Sequence, residues 1–340
     1  MKINLISDTV TLPCEGMKKA MITAELGDDV FKTDPTIVKL EAHAAEMFGM
    51  ESALFCPSGT MTNQIAINLL TRPMDELICD ENSHVFHYEN AAYARHSGVG
   101  LYALKGKNGK LSPKLIESAI RPLTDWYPRS SLVVIENSCN KAGGTHYSLE
   151  EMKALSEYCR EKGLAIHLDG ARIFNVQVEE NFSLSELGPL FDTVSICLSK
   201  GLGAPVGSLL LGKSQQIDEA RRIRKAMGGG MRQSGILAAA GIFALENNIE
   251  RLTQDHHHAN LLKGALAKLG TVENIRDART NIVMFDVRPP MNADLFTKSL
   301  EECGILCTAF GPNTVRMVTH KDISTEDIHY CVQKLEKIHW

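Results

Sequence analysis

Three short stretches of this sequence hold residue types that could carry covalent chemistry together. In Ser195-Ile-Cys-Leu-Ser-Lys200-Gly201 a lysine ends the apolar run from Thr193 to Leu198 and meets Gly201, Gly203 and Gly207. An amine there is a candidate Schiff-base nucleophile, because burial favours its uncharged form and small neighbours leave room for a ring. The structural alternative is a lysine snorkelling from a strand end. In Leu164-Ala-Ile-His167-Leu-Asp169-Gly170-Ala-Arg172 a nearly continuous apolar strand ends in an aspartate. A carboxylate at the end of a buried strand needs a partner. That partner is either Arg172, in an ordinary ion pair, or a protonated ring nitrogen, and Asp-Gly also makes common turns. In Pro57-Ser58-Gly59-Thr60-Met61 a small-residue turn runs from an apolar segment into the helical pattern of residues 62–70. Free amides and the dipole of a helix start favour an anion such as a phosphate, although many helices begin this way.

Phosphate cup, aspartate and lysine, in that order along one chain, supply what pyridoxal 5′-phosphate (PLP) needs. The cup holds the phosphate, the aspartate keeps the ring nitrogen protonated as an electron sink, and the lysine bonds the aldehyde carbon.

The elements that must position these residues read as parallel α/β architecture, with strand and helix signals alternating through about residue 240. Val133–Ile135, Ala165–Leu168 and Val194–Leu198 read as central strands, ending in Glu136-Asn137, Asp169 and Ser199-Lys200. Ligands of open parallel sheets bind beyond the carboxyl ends of strands, so these tips are expected to converge on one crevice. Asp34-Pro35 opens a helix that Gly49 closes, with apolar positions Ile37, Leu40, Ala44, Met47 and Phe48. An alanine- and leucine-rich run after Gly235 leads to a second unit, with strands at 282–285 and 314–318 and helices near 256–268 and 324–338. A chain of 340 residues suits one large and one smaller domain, divided as 1–245 and 246–340.

A net charge of −5 without basic blocks makes nucleic acid an unexpected partner. No stretch has the apolar length of a membrane span, and the first residues carry no extended apolar leader. Nine cysteines without paired spacing suit reduced thiols in a cytoplasm. The triplet His256-His-His258 invites a metal reading, but adjacent histidines on a helix point apart, so a polar helical face and no metal are expected.

The chain resembles the low-specificity L-threonine aldolases, of the β-eliminating lyase and threonine aldolase group of fold-type I PLP-dependent enzymes. The likeness runs from end to end through Ser7-Asp-Thr-Val-Thr11, Gly27-Asp-Asp-Val30, Asp34-Pro-Thr36, Pro57-Ser-Gly-Thr-Met61, His84, Glu136-Asn137, His167-Leu-Asp-Gly-Ala-Arg172, Ser199–Gly207 and Gly228-Gly-Gly-Met-Arg-Gln233. The resemblance implies a fold-type I PLP-dependent transferase-like α/β fold, with a large domain on a mostly parallel seven-stranded sheet and a smaller C-terminal α/β domain.

It also implies roles. Lys200 carries PLP, Asp169 holds the pyridinium, and Ser58, Gly59 and Thr60 bind the phosphate, with Glu136 and Arg172 also at the cofactor. Lys225 and Arg232 are implied to reach the phosphate of a neighbouring subunit, so a homotetramer, and at least a homodimer, is expected. From the residues alone this basic cluster reads as a solvated helix face. Arg172, the safer choice, and Arg316 are candidate clamps for a substrate carboxylate, with Ser7 as a further donor and Tyr88 beside them. His84 is implied to stack on the ring and to handle the β-hydroxyl proton. The implied reaction cleaves a β-hydroxy-α-amino acid, threonine or allo-threonine, to glycine and an aldehyde. Lys200 and Asp169 serve transamination or β-elimination equally well, so those reactions stay open, as does a non-catalytic binding protein. Two departures stand out: Trp126 lies near a position where bacterial members often carry histidine, and Cys139 stands where histidine is common. A flat apolar Trp126 would suit aromatic β-substituents such as that of phenylserine.

Overall fold

The computed structural model describes residues 2–337. Met1 and residues 338–340, the outer ends of the two expected domains and the last residue of the helix expected at 324–338, lie outside the described residues.

The described chain begins with a two-residue strand, β1 (Ile3–Asn4), and then builds a seven-stranded sheet. Its strands are β2 (Ser52–Cys56), β3 (Asp75–Asp80), β4 (Gly100–Leu104), β5 (Arg129–Glu136), β6 (Ala165–Gly170), β7 (Thr193–Cys197) and β8 (Ser208–Gly212). They lie in the order β2-β8-β7-β6-β5-β3-β4. Only β8 runs against its neighbours, so the carboxyl ends of the other six share one edge. The centre of the sheet is covered on both faces, which is why Leu132-Val-Val-Ile135 and Val194-Ser-Ile-Cys197 are apolar or small throughout and buried.

Helices cover the faces where the patterning placed them. Asp34 caps the helix Pro35–Met47, accepting from the amides of Thr36 and Ile37 at 3.1 Å each, and Pro35 takes the first turn, where it sacrifices no bond. The helix buries Ile37, Leu40 and Ala44, followed by Phe48, against the sheet; Met47 is only partly covered. The helix Gly235–Asn247 is apolar on all sides and correspondingly buried along most of its length.

The chain then forms β9 (Val272–Glu273), β10 (Ile282–Val287), β11 (Ile305–Leu306), β12 (Thr308–Ala309) and β13 (Thr314–Val318). Four of these make an antiparallel sheet in the order β12-β13-β10-β9, and helices Leu252–Leu266, Ala293–Glu302 and Thr325–Lys337 share its core. The amino-terminal segment joins this layer, whereas the expected division grouped it with residues up to 245. β1 pairs in parallel with β11, and Ile3 and Leu5 are buried among Val283, Phe285 and Phe296. Alternation at positions 3 and 5 gives the segment one apolar face, and pairing with β11 turns that face into the C-terminal core.

The histidine triplet lies on the helix Leu252–Leu266 with its rings apart. His256 Nε2 meets Asn175 Oδ1 at 3.1 Å, whereas His258 Nε2 meets Thr325 Oγ1 at 3.1 Å on another side. No helix among the described residues is long and apolar enough to cross a membrane.

Candidate active site

Five strand ends meet at one edge of the sheet and each delivers a polar group. After β2 comes Ser58, after β3 His84, at the end of β5 Glu136, next to last in β6 Asp169, and after β7 Lys200. Together with Gly59, Thr60, Asn63, Asn140 and Arg172 they line a cavity of about 150 Å³. The cofactor residues expected from the sequence are thus brought together, apart from Lys225 and Arg232.

The cup is the first turn of the helix Gly59–Leu70. Ser58 caps it, its hydroxyl accepting from the Met61 amide at 3.2 Å, and the Gly59 and Thr60 amides belong to the first turn, where no intrahelical acceptor exists. A Cβ on Gly59 would lie 2.7 Å from Cys197 Sγ, so only glycine keeps the cup open. The Lys200 loop folds back through Gly203, at φ +78°, and Gly207, at φ +118°, a conformation that disfavours any side chain. Its carbonyl accepts from Thr11 Oγ1 at 2.8 Å and from the Gly203 amide at 2.8 Å. Lys200 is half-buried, and its amine makes no ion pair or hydrogen bond among the described residues.

Asp169 does not pair with Arg172. Its Oδ2 accepts from Asn63 Nδ2 at 2.8 Å and its Oδ1 from the Ala171 amide at 3.2 Å. Glu136 is its direct neighbour across β5 and β6. Burial, then the charge of Asp169, pushes the Glu136 carboxyl up to about 7, although the amides of Asn140 and His84 donate to it at 2.9 and 2.7 Å. His84 Nδ1 donates to Glu89 Oε1 at 2.8 Å, which leaves Nε2 as the acceptor on a ring that lines the cavity. Burial opposes protonation of His84, but the Glu89 bond and the charges of Asp169, Glu89 and Glu136 outweigh it and raise its pKa above the ordinary 6.5.

The two arginines differ in a way the sequence did not reveal. Arg172 is 6% exposed and its fork is taken by Asp8, with Nε to Oδ2 at 2.8 Å and Nη2 to Oδ1 at 2.7 Å. Arg316, 8% exposed, has no carboxylate partner among the described residues. Its Nη1 donates to Asn140 Oδ1 at 2.9 Å, its Nη2 to the Ile6 carbonyl at 3.1 Å, and its Nε is buried without an acceptor. Burial, then the neighbouring Arg172 charge, lowers this guanidinium to about 10. Arg316 is thus a buried cation with an unused donor; it is bonded to the cavity-lining Asn140 and lies 4.7 Å over the Phe310 ring, whereas Arg172 itself lines the cavity. Ser7 sits between the segment's two anchors, Ile6 on Arg316 and Asp8 on Arg172, and its hydroxyl accepts from Thr9. Tyr88 is partly exposed, with its ring centroid 5.4 Å from that of His84.

Lys225 and Arg232 lie outside the cavity. Lys225 borders a separate cleft of about 560 Å³ with Asp29 and Arg221, and Arg232 pairs with Asp28 at 3.0 Å. The segments around Gly27 and Arg232 meet near it: Asp34 Oδ2 accepts from the amides of Gly27 and Gly235, and the Arg232 carbonyl from the Asp29 amide. Trp126 is 76% exposed in the loop before β5 and lines no part of the cavity. Cys139 is buried, its thiol donating to the Gly109 and Glu136 carbonyls, and burial raises its pKa well above the ordinary value, so it offers no base.

Sequence reading missed Asp8, Asn63 and Asn140. Asn63 had a signal: four residues after Gly59 it shares that glycine's helical face.

A PLP-sized group fits these residues: a glycine-kept anion cup, a hydrogen-bonded carboxylate and an unpartnered amine surround one cavity, with an orphaned guanidinium Nε beside it. The model of the β-eliminating lyase family matches residues 4–289. The low-specificity L-threonine aldolase of Escherichia coli K12 is 39% identical over 96% of this chain and 96% of its own, and low-specificity L-threonine aldolase 1 of Arabidopsis thaliana is 38% identical over 96% and 94%. The solved threonine aldolase of Leishmania major superposes with a TM-score of 0.86 over 98% of this chain and 99% of its own at 21% identity, and a Sphingomonas wittichii serine palmitoyltransferase with 0.77 over 98% and 86% at 18%, likenesses of fold. The chain belongs to the β-eliminating lyase family, among the low-specificity L-threonine aldolases.

Proposed function

We propose that this protein cleaves L-threonine, L-allo-threonine and related β-hydroxy-α-amino acids between Cα and Cβ, releasing glycine and an aldehyde, with PLP held at Lys200. The observation that carries this reading is the grouping of Lys200, Asp169 and the Ser58–Gly59–Thr60 cup around one cavity, with an uncompensated Arg316 beside it. When bound, PLP supplies an electron sink for the pair left on Cα.

The chain's own residues supply the rest. The amides of Gly59 and Thr60 and the helix dipole bind the phosphate. Asp169, held by Asn63 and Ala171, accepts a hydrogen bond from the protonated ring nitrogen. Arg316, bonded to the cavity-lining Asn140, takes the substrate carboxylate, and by fixing it selects which bond of Cα breaks. Arg172, its fork filled by Asp8, forms a fixed, charge-compensated part of the cavity lining. His84 Nε2 removes the β-hydroxyl proton as the aldehyde leaves.

This division of labour has two measurable consequences. Arg316→Met is expected to lower kcat/KM for L-threonine by roughly a hundredfold or more, the scale of a lost charge-assisted contact, with less effect on retained cofactor. Steady-state kinetics and a cofactor absorbance spectrum check it; an unchanged KM and kcat would return the clamp to Arg172. Because His84 must be neutral to accept a proton and its pKa is raised, the acid limb of the kcat/KM profile should have its midpoint above 6.5. That limb should disappear in His84→Asn, and a midpoint below 6.5 in the parent would remove His84 as the base.

We further infer a cytoplasmic homotetramer, built from dimers in which Lys225 and Arg232 face a partner's cup. Their position outside their own cavity, and the exposed Leu12, Phe31 and Trp126, support that arrangement. The test of the whole reading is the purified protein itself: a visible cofactor band and acetaldehyde release on L-threonine support it. Keto acid or ammonia without aldehyde would replace it by transamination or elimination.

A further inference from the structure

One buried amide joins the groups that the reading above places at opposite ends of the reaction. Asn63, 2% exposed, donates one Nδ2 hydrogen to Asp169 Oδ2 at 2.8 Å and the other to Glu89 Oε1 at 2.9 Å. That same Oε1 accepts from His84 Nδ1 at 2.8 Å. Gln64 Nε2 holds the other Glu89 oxygen at 2.6 Å. The carboxylate on the ring nitrogen and the imidazole at the substrate hydroxyl are therefore joined through a single side chain, directly on one side and by way of Glu89 on the other.

The polarity of this chain is fixed by what each atom can do. Glu89 and Asp169, as carboxylates, only accept, so the Asn63 amide nitrogen must face them and its Oδ1 must face His167. His167 Nε2 lies 3.1 Å from that Oδ1 and must therefore carry the hydrogen. Burial holds His167 neutral, its pKa lowered to about 4, so its Nδ1 has the lone pair and takes the hydroxyl hydrogen of Thr193, 2.8 Å away. One directed series runs from Thr193 through His167 to Asn63 and forks to Asp169 and Glu89, and His84 donates into Glu89 from the other side. Every member except His84 is at least nine-tenths buried, so water offers no substitute partner.

We propose that Asn63 is a positioning residue that couples the charge of Asp169 to the protonation of His84, with His167 and Thr193 fixing its orientation. The idea rests on the assignment of PLP to Asp169 and of the base to His84. Its content is joint behaviour. Without the Asn63 donor, Asp169 loses half of its hydrogen bonds and secures the ring nitrogen less well. Glu89 meanwhile loses a competitor for the oxygen that accepts from His84, so it draws the imidazole proton more strongly. The other charged groups facing His84 are Asp169, which Asn63 also holds, and Glu136, which accepts from the His84 and Asn140 amides.

The experiment compares the parent holoenzyme with Asn63→Ala and with Thr193→Val, a near-isosteric change behind the cavity. Two quantities are read on each: the PLP dissociation constant, from absorbance during titration of cofactor-stripped protein, and the acid midpoint of kcat/KM for L-threonine. For Asn63→Ala we expect cofactor affinity to fall ten- to a hundredfold, about the range for a hydrogen bond to a charged group, and the acid midpoint to rise. Thr193→Val should shift both in the same directions by less, because the freed His167 can turn its hydrogen to the Thr193 carbonyl, 3.1 Å from Nδ1, and present a lone pair to Asn63 Oδ1. Weaker cofactor binding with an unmoved midpoint, in whichever variant folds, would overturn the coupling and leave Asn63 a packing residue. A midpoint that moves alone would overturn it too. Failure of the parent to bind PLP would instead reject the functional reading itself.

Discussion

Lys200→Ala is expected to abolish aldehyde release, by ~10⁴-fold or more, while leaving the protein folded. The two halves of that expectation come from separate features. The position of Lys200 is set by its backbone: its carbonyl is held by Thr11 Oγ1 and the Gly203 amide, and the turn depends on the positive φ of Gly203 and Gly207. Its amine, by contrast, makes no hydrogen bond or ion pair among the described residues and acts on Asp8 only as a secondary charge, so truncation removes no native bond and should change stability by no more than about 1 kcal/mol. A lysine that lines a cavity with no hydrogen-bond partner for its amine is available to a reacting group, which is the role proposed for it. The visible band of a lysine-bound cofactor should vanish in the variant. Weaker, non-covalent PLP binding through the Ser58–Gly59–Thr60 cup should persist, because none of its contacts involves Lys200. Spectrum, acetaldehyde assay and thermal unfolding on one preparation check all three, and a variant keeping a tenth of the parent activity would remove Lys200 as the nucleophile.

The lysine is legible in the sequence because of the physics of parallel sheets. A central strand buried on both faces must be apolar, so the residue where polarity returns marks the strand's end, and in this architecture the carboxyl ends form the site. Glu136, Asp169 and Lys200 are three instances of one rule. The helix start at Ser58 is legible for a related reason, since caps are local chemistry. What the sequence hides is pairing between distant positions. Asp8 and Arg172 lie far apart along the chain, and nothing near either residue says that the guanidinium beside Asp169 is engaged elsewhere. The preference for Arg172 over Arg316 that the sequence suggests therefore takes no account of the contact that occupies the Arg172 fork. Likewise the amino-terminal strand carries an apolar alternation that any uncovered face could satisfy, and its partner, β11, lies some three hundred residues away along the chain, Ile3 pairing with Ile305. The network through Asn63 combines both cases: its helical position can be read from Gly59, but its partners on β6 and at Glu89 cannot.

Asp8→Ala is expected to cost ~3–5 kcal/mol of stability, because it strands the Arg172 guanidinium inside the protein without its counter-charge. Asp8 is fully buried and accepts both arms of the Arg172 fork, and Nδ2 of Asn281, the residue just before β10, donates to the same carboxylate at 3.2 Å. It thus fastens the amino-terminal segment, the end of β6 and the C-terminal sheet at one point. Burial alone would raise its pKa, but Arg172, with help from Lys200 and Asn281, holds it far below the ordinary 3.8. A group whose folded-state value is depressed contributes stability that is complete above its unfolded value and withdrawn as pH falls toward the folded one. The difference between the parent and Asp8→Asn should therefore be constant from neutrality down to about pH 5 and shrink below the unfolded value of 3.8. Urea unfolding of both proteins across that range measures it, and Asp8→Asn keeps the shape and one acceptor should Asp8→Ala fail to fold. A parent-to-variant gap under about 1 kcal/mol at pH 7 would mean that Arg172 is hydrated or paired elsewhere. It would then be free to bind the substrate carboxylate, and Arg316 would lose its distinction as the one uncompensated guanidinium at the site.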